Sequence, residues 1–253
     1  MKRILLALAA CLVIMPAGFA QRRDSVYTAS EQFKWTKLVV PVTLMGAGTI
    51  AAFTPGWKSG VDQPVKEWAA GVRADRYLPI DDYLQLLPAT GYAVAALCGA
   101  GEHSLWEQFV TGVTGYLLMF GTVQAVKNAT ALPRPNGRGN TFPSGHTATA
   151  FLGAELIRLE YGPWWGLAAY LAAVPVAFLR VYNEWHWVSD LIAGAGVGIL
   201  CANAAYWLLP LERKLFHIDP KAVTGEHYRW SAVPYAAATP YGAAIGMTLS
   251  CRW

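Results

Sequence analysis

The sequence predicts an all-α protein, a six-helix bundle embedded in a membrane and followed by a short C-terminal β-hairpin. Of its 253 residues, 55% are hydrophobic and only 14% are charged. Six apolar segments have roughly the 20 residues that a helix needs to cross a bilayer. Tryptophan and tyrosine gather at segment ends, as in the aromatic belts of membrane proteins. A water-soluble all-α bundle stays open as an alternative, because charged residues such as Glu155 and Arg158 lie inside the segments.

The first 83 residues divide into two parts. Residues 1–20 read as a secretory signal peptide, with a basic start, an apolar run and a small-residue end. Residues 21–83 hold a first apolar segment, Leu38–Phe53, and an amphipathic surface helix. The basic side chains of that helix, Lys58, Lys66 and Arg73, belong to no motif, so we expect a solvated face.

Residues 84–209 form the predicted helical core, and residues 210–253 form a basic tail with the hairpin. The pair Asp81-Asp82 precedes the first core helix, and we expect one of the two to cap it. A role at the mouth of a site is the alternative. From residue 241 to the end, larger and small residues alternate, which is typical of a strand. Residues 228–239 are its predicted partner.

Composition excludes several classes of function. The formal net charge is +4 and the longest basic runs, such as Arg22-Arg23 and Arg213-Lys214, are only pairs, so we expect no nucleic-acid partner. Without the signal, three cysteines remain, and their odd number and wide spacing predict neither a disulfide framework nor a cysteine metal site. His103, His217 and His227 lie in polar connections and have no predicted role.

Three short clusters carry the chemistry of this sequence. The middle one is a Pro-Ser-Gly turn with a histidine, just before an apolar helix, and helix starts of this kind attract anions. Each cluster ends an apolar segment, so all three can meet at one surface. They are Lys127-x6-Arg134-Pro135, Phe142-Pro143-Ser144-Gly145-His146 and Arg180-x5-His186-x3-Asp190.

Phosphoryl transfer fits this set of side chains best. The three cations Lys127, Arg134 and Arg180 can neutralise a phosphate ester, and the two guanidinium groups can bind it through paired hydrogen bonds. Ser144 and the backbone N–H groups of the turn, including Gly145, add donors.

The two histidines take different roles in this hypothesis. His186 and Asp190 are four residues apart, so a helix start brings them onto one face. Asp190 then fixes the tautomer of His186, whose free nitrogen attacks phosphorus and forms a phosphohistidine. His146 protonates the leaving oxygen and later deprotonates the water that cleaves the intermediate.

The three clusters together resemble the signature of the type 2 phosphatidic acid phosphatase (PAP2) and haloperoxidase-like superfamily, which includes bacterial acid phosphatases and vanadium haloperoxidases. The signature covers residues 127–190, and the helical pattern extends the likeness to about 84–209. The resemblance implies His186 as nucleophile, His146 as acid and base, and no metal or other cofactor for the phosphatases of the family.

The expected function is therefore a phosphatase acting on an envelope lipid such as phosphatidate, phosphatidylglycerophosphate, undecaprenyl diphosphate or lipid A. A soluble periplasmic acid phosphatase and a lipid phosphotransferase are the main alternatives. A vanadium haloperoxidase and a non-catalytic membrane protein are weaker ones. We expect the lipid phosphate and membrane lipid as partners, and no obligate protein partner.

The expected location is the inner membrane, with the site facing the periplasm; a periplasmic or outer-membrane-associated protein is the alternative. Six crossings after a cleaved signal put the clusters on the cytoplasmic side, which conflicts with the positive tail at Arg213-Lys214. Three explanations are open: Leu38–Phe53 does not cross, the signal is misread, or the bundle is not a membrane domain. We favour a short first segment that is non-crossing or partly buried.

Overall fold

The computed structural model describes residues 30–73, 76–218, 229–239 and 242–252. The predicted signal at residues 1–20 and His227 lie outside these ranges. Seven helices of eleven or more residues fall within them: α1 Thr36–Phe53, α2 Gln63–Arg73, α3 Leu87–Leu97, α4 Leu105–Thr130, α5 Gly145–Tyr161, α6 Pro163–Tyr182 and α7 Val188–Phe216. A helical turn at Pro55–Trp57 and a π-helical turn at Lys58–Asp62 lead into α2, and a short helix at Asp81–Leu84 precedes α3.

The helix count differs from the predicted six because the amphipathic surface segment contributes α2. The apolar segment after residue 83 is also shorter than expected. Its helix stops at Leu84 and restarts at Leu87, with Pro88 in the first turn of α3. A proline has no backbone N–H and fits only the first turn of a helix, so the chain starts a new helix there.

The helices run between two ends of a bundle. One, which we call the motif end, carries Lys127, Arg134, His146 and His186. The other, which we call the distal end, carries Glu31, His103, Glu160 and Arg213. The segment 81–97 and helices α1, α4, α5, α6 and α7 connect the two ends, so the chain makes six passes between residues 31 and 217. Helix α2 lies across the motif end.

Helix α1 runs the full length of the bundle, which corrects the prediction of a non-crossing first segment. Just before α1, the ring of Phe33 packs on Trp207 with centroids 5.0 Å apart. At the other end of α1, Phe53 packs on Phe142 of the middle cluster at 6.4 Å. Glu31, before α1, also pairs with Arg213 near the end of α7 at 2.6 Å. The chain therefore enters and leaves the helical region at the distal end.

Helices α5 and α7 form the centre, and glycines on α7 let them approach closely. A Cβ on Gly194 would lie 2.6 Å from the carbonyl oxygen of Ser144, and a Cβ on Gly198 only 2.4 Å from that of Ala148. Both distances are far below an ordinary van der Waals contact. Small residues four apart are the usual way for membrane helices to pack backbone against backbone.

The protein is a membrane protein. Helices α1, α4, α6 and α7 are long and apolar enough to cross a bilayer, and the apolar windows of α1 and α4 are only 17% and 22% buried. Large side chains on the outside of α4, such as Trp106, Phe109 and Phe120, are more than half exposed. Hydrocarbon is the natural solvent for so broad an apolar surface. Glu155 and Arg158, which favoured a soluble bundle, pair at 2.6 Å, and the carboxylate also accepts a hydrogen bond from Asn203.

The distal end holds a buried ionic network. Arg213 donates to Glu107 and to Glu31, both at 2.6 Å, and the ring of His103 lies 2.8 Å from Glu160 and 3.1 Å from Glu31. Burial alone would lower the pKa of His103, but the hydrogen bond and charge of Glu160 outweigh it and raise that pKa to about 10. The expectation that His103 has no particular role is therefore wrong, because its imidazolium joins two carboxylates.

Two strands follow the helices. β1, Arg229–Thr239, pairs antiparallel with β2, Gly242–Arg252, in a register that runs from Arg229 opposite Arg252 to Thr239 opposite Gly242. The two residues that connect the strands lie outside the described ranges. The packing of a C-terminal hairpin on the helices stays a prediction.

Candidate active site

The fold brings the three sequence clusters to one end of the bundle. Lys127 lies in the last turn of α4 and Arg180 in the last turn of α6, while His146 and Asp190 lie in the first turns of α5 and α7. His186 lies in the connection just before α7. Helix ends are favourable positions for such groups. The middle of an apolar span lies in hydrocarbon, so polar side chains are placed where the span ends.

His186 and Asp190 form a buried pair. Nδ1 of His186 lies 3.3 Å from Oδ2 of Asp190, and the two residues are only 3% and 1% exposed. The backbone N–H of Trp187 donates to the same carboxylate oxygen at 2.8 Å and fixes its position. Burial lowers the pKa of His186 to about 4, although Asp190 opposes the shift. The ring is therefore neutral near pH 7, which is compatible with its predicted role as a nucleophile.

Thr141 completes this pair and carries no sequence signal. Its hydroxyl oxygen lies 3.1 Å from Nδ1 of His186 and is hydrogen-bonded to Oδ2 of Asp190. The residue is fully buried. The contact is visible only in the structure, where the loop places Thr141 next to the start of α7. In the sequence, a threonine before the Phe-Pro pair belongs to no motif.

The two arginines flank one indole ring. The guanidinium carbons of Arg134 and Arg180 lie 5.1 and 5.3 Å from the centroid of the Trp185 ring. Arg180 is 4% exposed, and its Nε has no hydrogen-bond partner among the described residues. A buried donor of this kind fits an oxyanion ligand.

The third cation, Lys127, is held by the loop that follows it. Its Nζ donates to the carbonyl oxygens of Asn140 and Thr141, both at 3.2 Å, and Nε of Arg134 donates to Asn140 at the same distance. Carbonyl groups orient these cations without cancelling their charge. The charges of Lys127 and Arg180 both contribute to the lowered pKa of His186.

The Pro-Ser-Gly turn caps α5. The hydroxyl oxygen of Ser144 accepts hydrogen bonds from the N–H and the hydroxyl of Thr147, at 3.4 and 2.9 Å. The backbone N–H of Ser144 donates to the carbonyl oxygen of Asp190, so it is not available to an anion. Gly145 and His146 follow in the first helical turn, where N–H groups have no partner within the helix. Phosphate binding by Ser144 and Gly145 stays a prediction.

His146 meets a carboxylate at the mouth of the site. Its Nε2 lies 2.9 Å from Oδ1 of Asp82, and Arg180 reaches the same oxygen at 3.4 Å. Burial and the charge of Arg180 lower the pKa of His146, and Asp82 and Asp81 oppose that shift. The side chain of Asp82 is 48% exposed and that of His146 is 28% exposed, so solvent reaches both.

The expected capping role of the aspartate pair is wrong. The short helix begins at Asp81 without a side-chain cap. Asp81 is instead fully buried and accepts a hydrogen bond from Arg180 at 2.5 Å and another from Asn183 at 3.1 Å. The sequence did contain a signal for these contacts. The two carboxylates are adjacent in a chain with few charges, and the three clusters contain more cations than carboxylates.

The segment around α2 holds the loops of the site, which corrects the expectation of a solvated basic face. Lys58 lies 3.2 Å above the ring of Trp187, and Lys66 donates to the carbonyl oxygen of Pro135 at 3.0 Å. Arg73 pairs with Glu184 at 2.8 Å.

A buried carboxylate adds a further contact between this segment and α7. Asp62 accepts a hydrogen bond from the hydroxyl of Ser189 at 3.2 Å, and burial raises its pKa. In residues 30–73 and 76–218, no group of three or more histidine, cysteine, aspartate or glutamate side chains is placed to hold a metal ion.

Comparison with known proteins adds the following similarities. A family model described as PAP2 superfamily matches residues 103–214. A lipid A 1-phosphatase of Porphyromonas gingivalis is 37% identical over 175 residues, which cover 67% of this chain and 38% of that protein. A lipid A 1-diphosphate synthase of Escherichia coli is 26% identical over 110 residues, 44% of this chain and 46% of that protein. The matches thus span less than half the length of either relative.

A solved structure is also similar. It is the first transmembrane PAP2 type phosphatidylglycerolphosphate phosphatase from Bacillus subtilis, with 21% sequence identity and a TM-score of 0.45. The likeness covers 71% of this chain and 98% of that one.

Proposed function

The chain carries a PAP2 superfamily domain, and on that premise we propose that it is a phosphatase that hydrolyses a phosphate monoester or diphosphate of an envelope lipid. The observation that carries the proposal is the buried, neutral His186, held by Asp190 beside three cations. This constellation supplies a nucleophile and a binding site for a tetrahedral anion at the same place.

In the proposed reaction, the substrate phosphate binds between Lys127, Arg134 and Arg180. Asp190 accepts a hydrogen bond from Nδ1 of His186, so Nε2 is the nitrogen that attacks phosphorus. The P–O bond to the lipid breaks while His146 delivers a proton to the leaving oxygen.

The second half of the reaction restores the enzyme. His146 takes a proton from water, whose oxygen attacks the phosphohistidine, and the P–N bond breaks to release inorganic phosphate. The positive charge of the three cations stabilises the negative equatorial oxygens in both steps.

A lipid substrate is favoured by the position of the site. The catalytic histidines lie at the ends of helices whose outer surfaces are apolar, and the phosphate of a membrane lipid lies at the same depth. The relative from P. gingivalis is named for lipid A, and we propose lipid A phosphate as the first substrate to test. Phosphatidate, phosphatidylglycerophosphate and undecaprenyl diphosphate form the rest of the panel.

The test is phosphate release by the purified protein in detergent micelles with each lipid of the panel. We expect release that survives EDTA and that His186→Ala abolishes. A conservative companion, Asp190→Asn, should lower kcat by roughly 10⁴-fold while leaving the fold intact. Loss of activity on EDTA treatment, or full activity of His186→Ala, would show that the mechanism is wrong.

A lipid phosphotransferase is the second candidate, and the name of the E. coli relative, lipid A 1-diphosphate synthase, favours it. In that reaction the phosphohistidine passes its phosphoryl group to a lipid acceptor rather than to water. A donor lipid labelled with ³²P separates the two reactions. Hydrolysis puts the label in inorganic phosphate, and transfer puts it in a second lipid.

We further propose that the protein lies in the inner membrane with the motif end in the periplasm. Lys34, Lys37, Arg213 and Lys214 then lie near the cytoplasmic surface, as the positive-inside rule requires. Six passes put residue 30 on the same side as residue 218, so this orientation is incompatible with cleavage of residues 1–20 as an export signal. Reporters fused after Pro55 and after Arg213 test it. A cytoplasmic signal at Pro55 would reverse the orientation.

The proposed domain organisation follows from the same orientation. Residues 84–209 are the catalytic core, residues 21–83 supply α1 and the segment across the motif end, and residues 210–253 form a cytoplasmic tail that ends in the hairpin. Deleting residues after 218 tests the last part, with unchanged phosphate release as the expected result.

A further inference from the structure

Asp82 lies where it can act directly on His146. Its Oδ1 is 2.9 Å from Nε2 of His146, and the two side chains come from elements that are 64 residues apart in sequence. Both side chains are partly exposed, so a substrate can reach them and they can exchange protons with solvent. The charged groups facing His146 are Asp82, Asp81 and Arg180.

Arg180 does not need Asp82. Its NH1 is 2.5 Å from Oδ2 of Asp81, which is fully buried, and 3.4 Å from Oδ1 of Asp82. The short distance and the burial make Asp81 the main partner of the guanidinium group. Asp82 is left with the imidazole as its close partner.

From this geometry we propose that Asp82 is a positioning residue for the leaving-group proton: it holds Nε2–H of His146, so that Nδ1 exchanges the proton with the leaving oxygen and then with water. The inference rests on the proposed phosphatase activity. The pair mirrors the one across the site, where Asp190 holds Nδ1 of His186 and leaves Nε2 to attack.

The arrangement has an electrostatic consequence. Burial and Arg180 both lower the pKa of His146, which works against a general acid. The negative charge of Asp82 opposes this shift and keeps a larger fraction of the ring protonated. Without Asp82, the limb of the pH profile that requires protonated His146 should move to lower pH.

Leaving-group chemistry gives the sharpest kinetic test. Phosphatidate in detergent micelles expels an alkoxide, which needs a proton, whereas p-nitrophenyl phosphate expels a phenolate, which leaves readily without one. The ratio kcat/KM reports formation of the phosphohistidine and not its hydrolysis, which is common to both substrates. We expect Asp82→Asn to lower kcat/KM at pH 7 by roughly 10- to 100-fold with phosphatidate, and by less than threefold with p-nitrophenyl phosphate. Asp82→Glu should recover part of the loss. Glu67→Gln, which removes an exposed carboxylate from α2, is the matched control and should behave like the wild type.

Two results would overturn the proposal. An equal fall with both substrates would mean that Asp82 only supports the fold. A lower inhibition constant for inorganic phosphate with unchanged kcat would mean that Asp82 merely competes with phosphate for Arg180.

Titration separates this inference from the proposed activity. In protein with ¹⁵N-labelled histidine, the His146 signal, assigned by its loss in His146→Asn, should titrate at lower pH in Asp82→Asn than in the wild type. If the wild type releases phosphate from no lipid of the panel, the proposed function fails, and the titration still decides whether Asp82 acts on His146. An unchanged His146 titration in Asp82→Asn would refute the contact.

Discussion

The glycine that brings α7 onto the Pro-Ser-Gly turn offers a direct test of the active-site geometry. In Gly194→Ala, the new Cβ would lie 2.6 Å from the carbonyl oxygen of Ser144, whereas ordinary contacts begin at 3.4 Å. The turn and the helix must therefore separate by roughly 1 Å. Overpacking of this kind costs about 1 to 3 kcal/mol of stability. Because α7 carries Asp190 and the turn carries His146, the separation also changes the distance between the two catalytic walls.

A misplacement of about 1 Å can lower the rate by roughly 10²-fold, and we expect a loss of that size in kcat for Gly194→Ala. The assay is phosphate release in detergent micelles, with the midpoint of thermal unfolding measured on the same preparation. Gly121→Ala on α4 is the control, because a Cβ there has nothing within 4 Å. If Gly194→Ala unfolds as the wild type does and keeps wild-type kcat, then the close approach does not set the geometry of the site.

Three further outcomes follow from the ionised groups and the helix contacts. His186 is mostly neutral above its pKa of about 4, and His146 is mostly protonated only below the ordinary histidine pKa of 6.5. The ratio kcat/KM should therefore fall both below pH 4 and above pH 6.5. A maximum at pH 8 would contradict these roles. The pKa of His103 is raised to about 10, so its stabilisation is complete below the unfolded-state value of 6.5 and is lost as pH rises towards 10. The midpoint of thermal unfolding should therefore fall more over that range in the wild type than in His103→Gln. Glu107→Gln leaves Arg213 with one carboxylate fewer and should lower the free energy of unfolding by roughly 1 to 3 kcal/mol, with kcat within twofold of the wild type.

The contacts within the site could be predicted from the sequence where the residues concerned are close together in the chain. His186 and Asp190 are four residues apart, and helix geometry alone predicts their contact. Thr141 lies 45 residues before His186, and no local pattern links the two. The fold adds such partners by bringing distant loops together, which a single sequence does not record.

The two largest corrections have a common cause. Asp82 looks like a helix cap because its local surroundings are those of a helix start, but a contact with His146 across the fold replaces that role. The first apolar segment was predicted not to cross because six crossings after a cleaved signal would put the three clusters on the cytoplasmic side. Packing of Phe33 and Phe53 at opposite ends of the bundle decides the matter instead. In the first case a tertiary contact overrides a local preference, and in the second tertiary packing overrides a count of crossings.

The segment around α2 ties together loops that otherwise belong to separate passes of the chain. It reaches Pro135 after the first cluster, Glu184 before His186 and Ser189 at the start of α7. It also precedes residue 103, where the match to the family begins. A change in this segment therefore shifts three loops of the site together, although the segment itself holds none of the proposed reacting groups.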